Sequence, residues 1–216
     1  MTRSRRQLSI WLALLAMLQG CASYEGAPNR AWFPAATTAA KSRTPGRVAL
    51  IVPPQVQISV SPVGELLKLQ VGAIAEQAMR AALDDGFESG APQVYGALPA
   101  TGGQSATLVI DAVRFDHQER TVWFVWVPPL SQLVQYEAST TLAFDVTLFD
   151  ARGGLVWTRT YDDAGRLVWT TTSADSTPLP KDIGRVAHES AWRLGQRASR
   201  DLREWMDAER MRRRSL

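Results

Sequence analysis

The chain has 216 residues, 45% of them hydrophobic, and a formal net charge of +3. That length suits one ordinary domain with appendages, and that apolar content excludes wholesale disorder. The charge misleads: of 24 basic residues, Arg3, Arg5 and Arg6 stand in the acid-free first twenty positions, and the remaining 21 are matched by 21 acids. The chain beyond residue 20 therefore carries no global signature of nucleic-acid binding.

Residues 1–20 read as an address. Arg3, Arg5 and Arg6 form a basic head, and Leu8 to Leu18 form an almost wholly apolar stretch. That stretch is about eleven residues, whereas a helix crossing a bilayer takes roughly twenty. A short apolar core behind a basic head is a secretory signal. It ends in Leu18-Gln19-Gly20-Cys21, which resembles the lipobox of bacterial lipoproteins, with Gln19 departing from the usual choice. The resemblance implies lipid attachment to the Cys21 thiol, cleavage before it and acylation of the new N-terminus. Ser4-Arg5-Arg6 partly matches a twin-arginine signal, but Leu8-Ser9 fits that pattern poorly, so the general secretory route is expected. The competing reading is a buried apolar helix with an incidental cysteine. Cys21 is the single cysteine, so an exported domain must rest on its core without a disulfide. Two or three acyl chains, at about 0.8 kcal/mol per buried CH₂, anchor a protein where one would not. Ala22 follows the cysteine where an aspartate marks inner-membrane retention in enterobacterial lipoproteins, which implies a periplasm-facing outer-membrane location.

Residues 21–46 carry the lipidated cysteine and an Ala-, Pro-, Thr- and Gly-rich stretch without apolar periodicity, the composition of a tether. Such a chain spans on the order of 25–30 Å. Trp32 and Phe33 within it either pack on the domain or dip into lipid, packing being the expectation. The single domain is expected over residues 47–208. Val48 to Val52 is a continuous apolar run stopped by Pro53-Pro54, the pattern of a buried strand. Ser61-Pro62 suggests a helix N-terminus, with Leu67, Val71, Ile74, Ala78 and Ala81 at helical spacing and Gly86 as a stop. Three strands are expected next: Thr107–Phe115, Thr141–Leu148 with strict alternation, and Leu155–Tyr161, the last two joined by the turn Asp150-Ala151-Arg152-Gly153-Gly154. From Lys181, Ile183, Ala187, Ala191, Leu194, Ala198, Leu202 and Trp205 draw one apolar stripe on a final helix. The order strand, helix, three antiparallel strands, helix predicts a two-layer α+β domain, a small mixed sheet packed on two helices. This order, and the stretch Thr141–Tyr161 with Asp-Ala-Arg-Gly-Gly-Leu-Val-Trp at its turn, resembles small outer-membrane lipoproteins with a TolB N-terminal-like fold, penicillin-binding-protein activators among them. The resemblance implies a binding module without catalytic residues to carry over.

Chemistry-bearing residues are sparse. Of two histidines, His117 follows Asp116 and reads as an exposed loop residue, while His188 sits beside the apolar stripe and reads as surface. Catalytic zinc usually needs three protein ligands, and no set of ligands at that spacing occurs, so no metal and no cofactor is expected. There is no Gly-x-Ser-x-Gly, and Thr101-Gly102-Gly103-Gln104 lacks the lysine of a phosphate loop. Asp162-Asp163 reads as a solvated turn. Two stretches are candidate contact surfaces. Trp123, Phe124, Trp126, Pro128, Pro129 and Leu130 lie in an apolar run that does not alternate, so either both its faces are covered or one is offered to a partner or lipid. Arg210, Arg212, Arg213 and Arg214 belong to a basic tail, residues 209–216, which offsets a helix dipole or touches an anionic surface. The functional expectation is a non-catalytic, lipid-anchored module that docks onto an envelope protein. Alternatives are an auxiliary lipoprotein of lipid or glycolipid transport, and a small cell-wall hydrolase.

Overall fold

The structure is a computed structural model, and it describes residues 24–33, 43–62, 67–88, 94–95, 104–123, 134–171 and 180–215. In chain order the elements are β1 (Tyr24–Gly26), β2 (Val48–Ile51), β3 (Leu67–Leu69), α1 (Val71–Gly86), β4 (Val94–Tyr95), β5 (Ala106–Trp123), β6 (Val134–Asp150), β7 (Leu155–Thr171) and α2 (Pro180–Arg214). The main sheet has the order β4-β2-β5-β6-β7, with β2 parallel to both neighbours and β5, β6 and β7 forming an antiparallel meander. The sheet is open and packs on two helices, so the domain is the α+β fold that the order of apolar patterns implies.

Burial follows the patterns. Val48, Leu50 and the other residues of β2 are buried on both faces, as a strand inside a covered sheet must be. On β6, Leu142, Phe144, Val146 and Leu148 are fully buried towards the helices. The α2 stripe, Ile183, Ala187, Ala191, Leu194, Ala198 and Leu202, closes the core from above. Small residues let α1 and α2 approach closely: a side chain on Gly195 would meet the Ala78 carbonyl, and the Ser199 hydroxyl donates to the Ala82 carbonyl over 3.0 Å.

Several local expectations are corrected. Leu67 is not the first turn of a helix; it pairs with Tyr24 in a two-stranded parallel sheet, and α1 begins at Val71 without a side-chain cap from Gln70. Ala82 rather than Ala81 is fully buried in α1. The packed chain starts well before residue 47: β1 pairs with β3, and Phe33 is buried in the core. The meander strands are also about twice their expected length, roughly 55 Å at 3.4 Å per residue.

The outer face of the meander differs from a plain solvated face. A bulge at Asp111 breaks the β5–β6 register, and the Asp111 carboxylate accepts from the Thr147 hydroxyl, itself 3.0 Å from the Thr158 hydroxyl. Arg114 forms a two-pronged pair with Asp145, which also accepts from Thr160 at 2.7 Å. Guanidinium and hydroxyl donors hold the Asp145 carboxyl below its ordinary range. The β6–β7 turn is the one read from sequence. Gly153 takes φ +79°, and one Asp150 carboxylate oxygen accepts from the Arg152 and Gly154 amides at 2.8 and 2.7 Å.

Candidate functional site

The aromatic candidate surface falls mostly beyond what is described. Trp123 closes β5 opposite Val134, while Phe124, Trp126, Pro128, Pro129 and Leu130 lie outside the described residues, as does Cys21.

The basic C-terminus is helix up to Arg214. Arg210 bonds Asp207 at 3.0 Å and the Pro45 carbonyl; Arg213 and Arg212 pair with Glu209 at 3.1 and 3.7 Å, and Arg214 is exposed. Arg210 and Arg213 line a groove of about 610 Å³ with Trp205, Met206, Ser105 and Asp150. The Asp150 carboxyl stays below its ordinary range, first because the Gly154 and Arg152 amides donate to it and then because cations lie near. Two carboxylates, Asp150 and Glu209, therefore offset the two arginines, and the groove offers an anion little net attraction. These surface pairs are each worth at most about 1 kcal/mol. Deleting residues 209–216 should keep the fold and lower Tm by roughly 2–4 °C, the shift for about 1 kcal/mol in a domain of this size. A collapse of the thermal transition would instead make the tail part of the core.

Both histidines are structural, contrary to the sequence reading. His117 sits on β5, not in a loop; its side chain is buried on the helix-facing side, with Nδ1 3.0 Å from the Thr140 hydroxyl and Nε2 3.1 Å from Glu119. His188 is fully buried rather than at the surface. Its Nδ1 lies 2.7 Å from the Gly184 carbonyl, and its Nε2 accepts the Asn29 amide over 3.0 Å, an arrangement that fits only the neutral ring protonated on Nδ1. Trp32 meets the ring edge-on at 4.8 Å, and Phe33 lies between it and Trp192. Residues 27–33 thus form a strap on α2, with His188 as the clasp. Burial pushes the His188 pKa down, against backbone contacts with Gly184 and Ala27, which raise it.

Carboxylates between β7 and α2 are likewise engaged. Asp163 is on the strand, not in a turn, and is held by Arg193 at 2.7 Å and Arg197 at 3.4 Å from α2. Asp201 accepts from the Tyr161 hydroxyl at 2.8 Å and pairs with Arg159; burial and this carboxylate raise the Tyr161 pKa. Among the described residues no group of three or more metal-ligating side chains forms, and no helix is long and apolar enough to cross a membrane. The arrangement ties helix α2 to the sheet.

No family model matches the chain, and no curated protein does. Among solved structures it is similar to a protein assigned as a lipoprotein from Caulobacter crescentus, at 14% identity over 75% of this chain and 91% of that one, with a TM-score of 0.34. It is also similar to a minor lipoprotein from Acinetobacter baumannii, at 10% identity over 76% and 92%, with a TM-score of 0.32. At TM-scores this low, neither likeness bears on fold or role.

Proposed function

We propose that the chain is an exported bacterial lipoprotein, held through an acylated Cys21 on a periplasm-facing membrane surface, and that its α+β domain is a non-catalytic docking module. The observation that carries this reading is the order of basic head, short apolar core and Leu18-Gln19-Gly20-Cys21. The outer membrane is the favoured surface because Ala22, not an acid, follows the cysteine. Within this reading the domain is of the TolB N-terminal-like kind.

The strap adds a consequence. Two residues separate Cys21 from Tyr24, so that stretch spans at most about 11 Å. With residues 27–33 clasped by His188, the domain rides close to the bilayer rather than on a leash of roughly 25–30 Å. Support for a non-catalytic role is that the histidines, Asp163 and Asp201 are spent on structural contacts, not poised in a cleft. The transport alternative gains nothing from the core, where Leu50, Leu108, Phe144 and Leu148 fill the space between the layers.

Docking is tested with Trp123→Ser combined with Trp126→Ser, pulled down from solubilised envelopes and read by mass spectrometry. The expected result is a folded variant that loses a stoichiometric protein retained by the unaltered chain. A folded variant that keeps its partner and its membrane behaviour contradicts docking through this segment. Phospholipid without a stoichiometric protein points to lipid transport.

A further inference from the structure

Among the described residues, the end of the sheet order leaves β7 with one edge unpaired along 17 residues. Two observations fix which peptide groups face outward. In the turn, the Asp150 amide donates to the Gly154 carbonyl, so even-numbered residues of β6 point at β7; past the bulge, Leu148 opposite Trp157 turns the odd-numbered residues of β7 inward. Independently, the Asp162 carbonyl accepts from Arg197 on α2 at 2.8 Å, which requires that residue to face the open side. Residues 158, 160, 162, 164, 166 and 168 therefore present their amides and carbonyls to the edge. Among the described residues, the Arg197 contact is the one cap on it. The strand has no proline and no lysine, two devices that commonly block an exposed edge.

We propose that this edge takes β7 of a second copy of the chain, antiparallel, about a two-fold axis at Ala164. Charge complementarity selects the register once the groups already tied to α2 are set aside. Centring on 161 would oppose Arg159 and Asp163, but Asp201 holds the first and Arg193 and Arg197 hold the second. Centring on residue 162 sets Asp162 against itself, on 163 Asp163 against itself, and on 166 Arg166 against itself. Centring on 165 or 160 joins no opposite charges. Centring on 164 sets Asp162 of each copy against Arg166 of the other, twice over, with a small side chain on the axis and Thr160 opposite Val168. Val168 is half exposed, a cross-strand neighbour waiting for a partner. The Asp162 carboxylate is exposed and has no partner among the described residues; Arg166 already bonds Glu137 at 2.6 Å and keeps donors to spare in its five-donor fork. The Arg197 cap does not close the edge, because a carbonyl has two lone pairs and the Arg166 amide of the other copy can take the second.

The test uses the full chain in detergent, with mass read by light scattering and folding by circular dichroism. The unaltered chain is expected as a dimer. Asp162→Arg alone and Arg166→Asp alone each place like charges opposite one another and should weaken self-association at least tenfold. Mixing the two variants should restore a one-to-one dimer. At one end the introduced arginine then faces the introduced aspartate, and at the other the native Arg166 faces the native Asp162. Ala164→Cys should cross-link across the axis on mild oxidation, since opposed Cα atoms about 5.5 Å apart suit a disulfide, while Thr158→Cys should not. A monomeric unaltered chain overturns the proposal. So does a dimer indifferent to both charge reversals, or folded single variants that fail to associate when mixed.

Discussion

Gly72→Ala is expected to destabilise the protein by about 3 kcal/mol, at the upper end of what overpacking costs. An added Cβ would stand 2.1 Å from the Val56 carbonyl oxygen, 2.7 Å from the Gln57 Cα and 2.8 Å from the Ile58 amide nitrogen. All three are backbone atoms, so no rotamer change relieves the contact. The same turn is fastened to the helix by the Gly72 amide donating to the Ile58 carbonyl over 3.2 Å, and Val56 is buried in the core. Backing away would therefore drag residues 54–58 off the first turn of α1. Alanine is the better helix former by roughly 1 kcal/mol, which offsets only part of the loss. Thermal unfolding should move down by roughly 6–12 °C. A variant within a degree of the parent would mean that this close approach does not exist.

His188→Leu should cost about 2–4 kcal/mol at pH 7, since it strands the Asn29 amide and loosens the seat of Trp32 and Phe33. The pH dependence gives a second reading. Burial holds the folded-state pKa of His188 below its ordinary 6.5, so beneath pH 6.5 the unfolded chain binds a proton that the folded one resists. Stability is then full above that pH and falls as the pH drops towards the folded-state pKa, by up to about 1.4 kcal/mol per pH unit. Protonation also turns Nε2 from acceptor to donor against the Asn29 amide, so the strap should loosen first. Denaturant midpoints between pH 7 and 5 should slope for the parent and be flatter for His188→Leu. Equal slopes would remove His188 from the explanation.

The fold was legible where one periodicity acted alone. The β6 alternation and the α2 stripe each have a single reading, and both elements carry the burial their patterns imply. The first helix began too early because Leu67 fits two rules at once: it is spaced from Val71 as in a helix and from Leu69 as in a strand, and pairing with β1 decides for the strand. The far half of β5 was not legible, since Arg114 to Thr121 is mostly polar; its register with β6, not its own pattern, keeps it extended. His188 was misread because its cover comes from residues 27–33, a contact about 160 positions away that one helix's periodicity cannot report. The tether reading failed in part for the same reason: composition without periodicity suits a strap as well as a leash, and only the aromatic pair Trp32 and Phe33 hinted at packing. Of the basic residues, Arg210 and Arg213 meet at one groove through helical spacing, while Arg212 lies on another side of the helix.

The most direct measurement is metabolic labelling with radioactive palmitate of the chain and of Cys21→Ser, with sedimentation of the envelopes afterwards. An anchor at Cys21 predicts that the unaltered protein takes up label and pellets with membrane, and that the serine variant does neither while keeping its folded domain. Label and sedimentation unchanged in Cys21→Ser would contradict the anchor and, with it, the closeness of this domain to a bilayer.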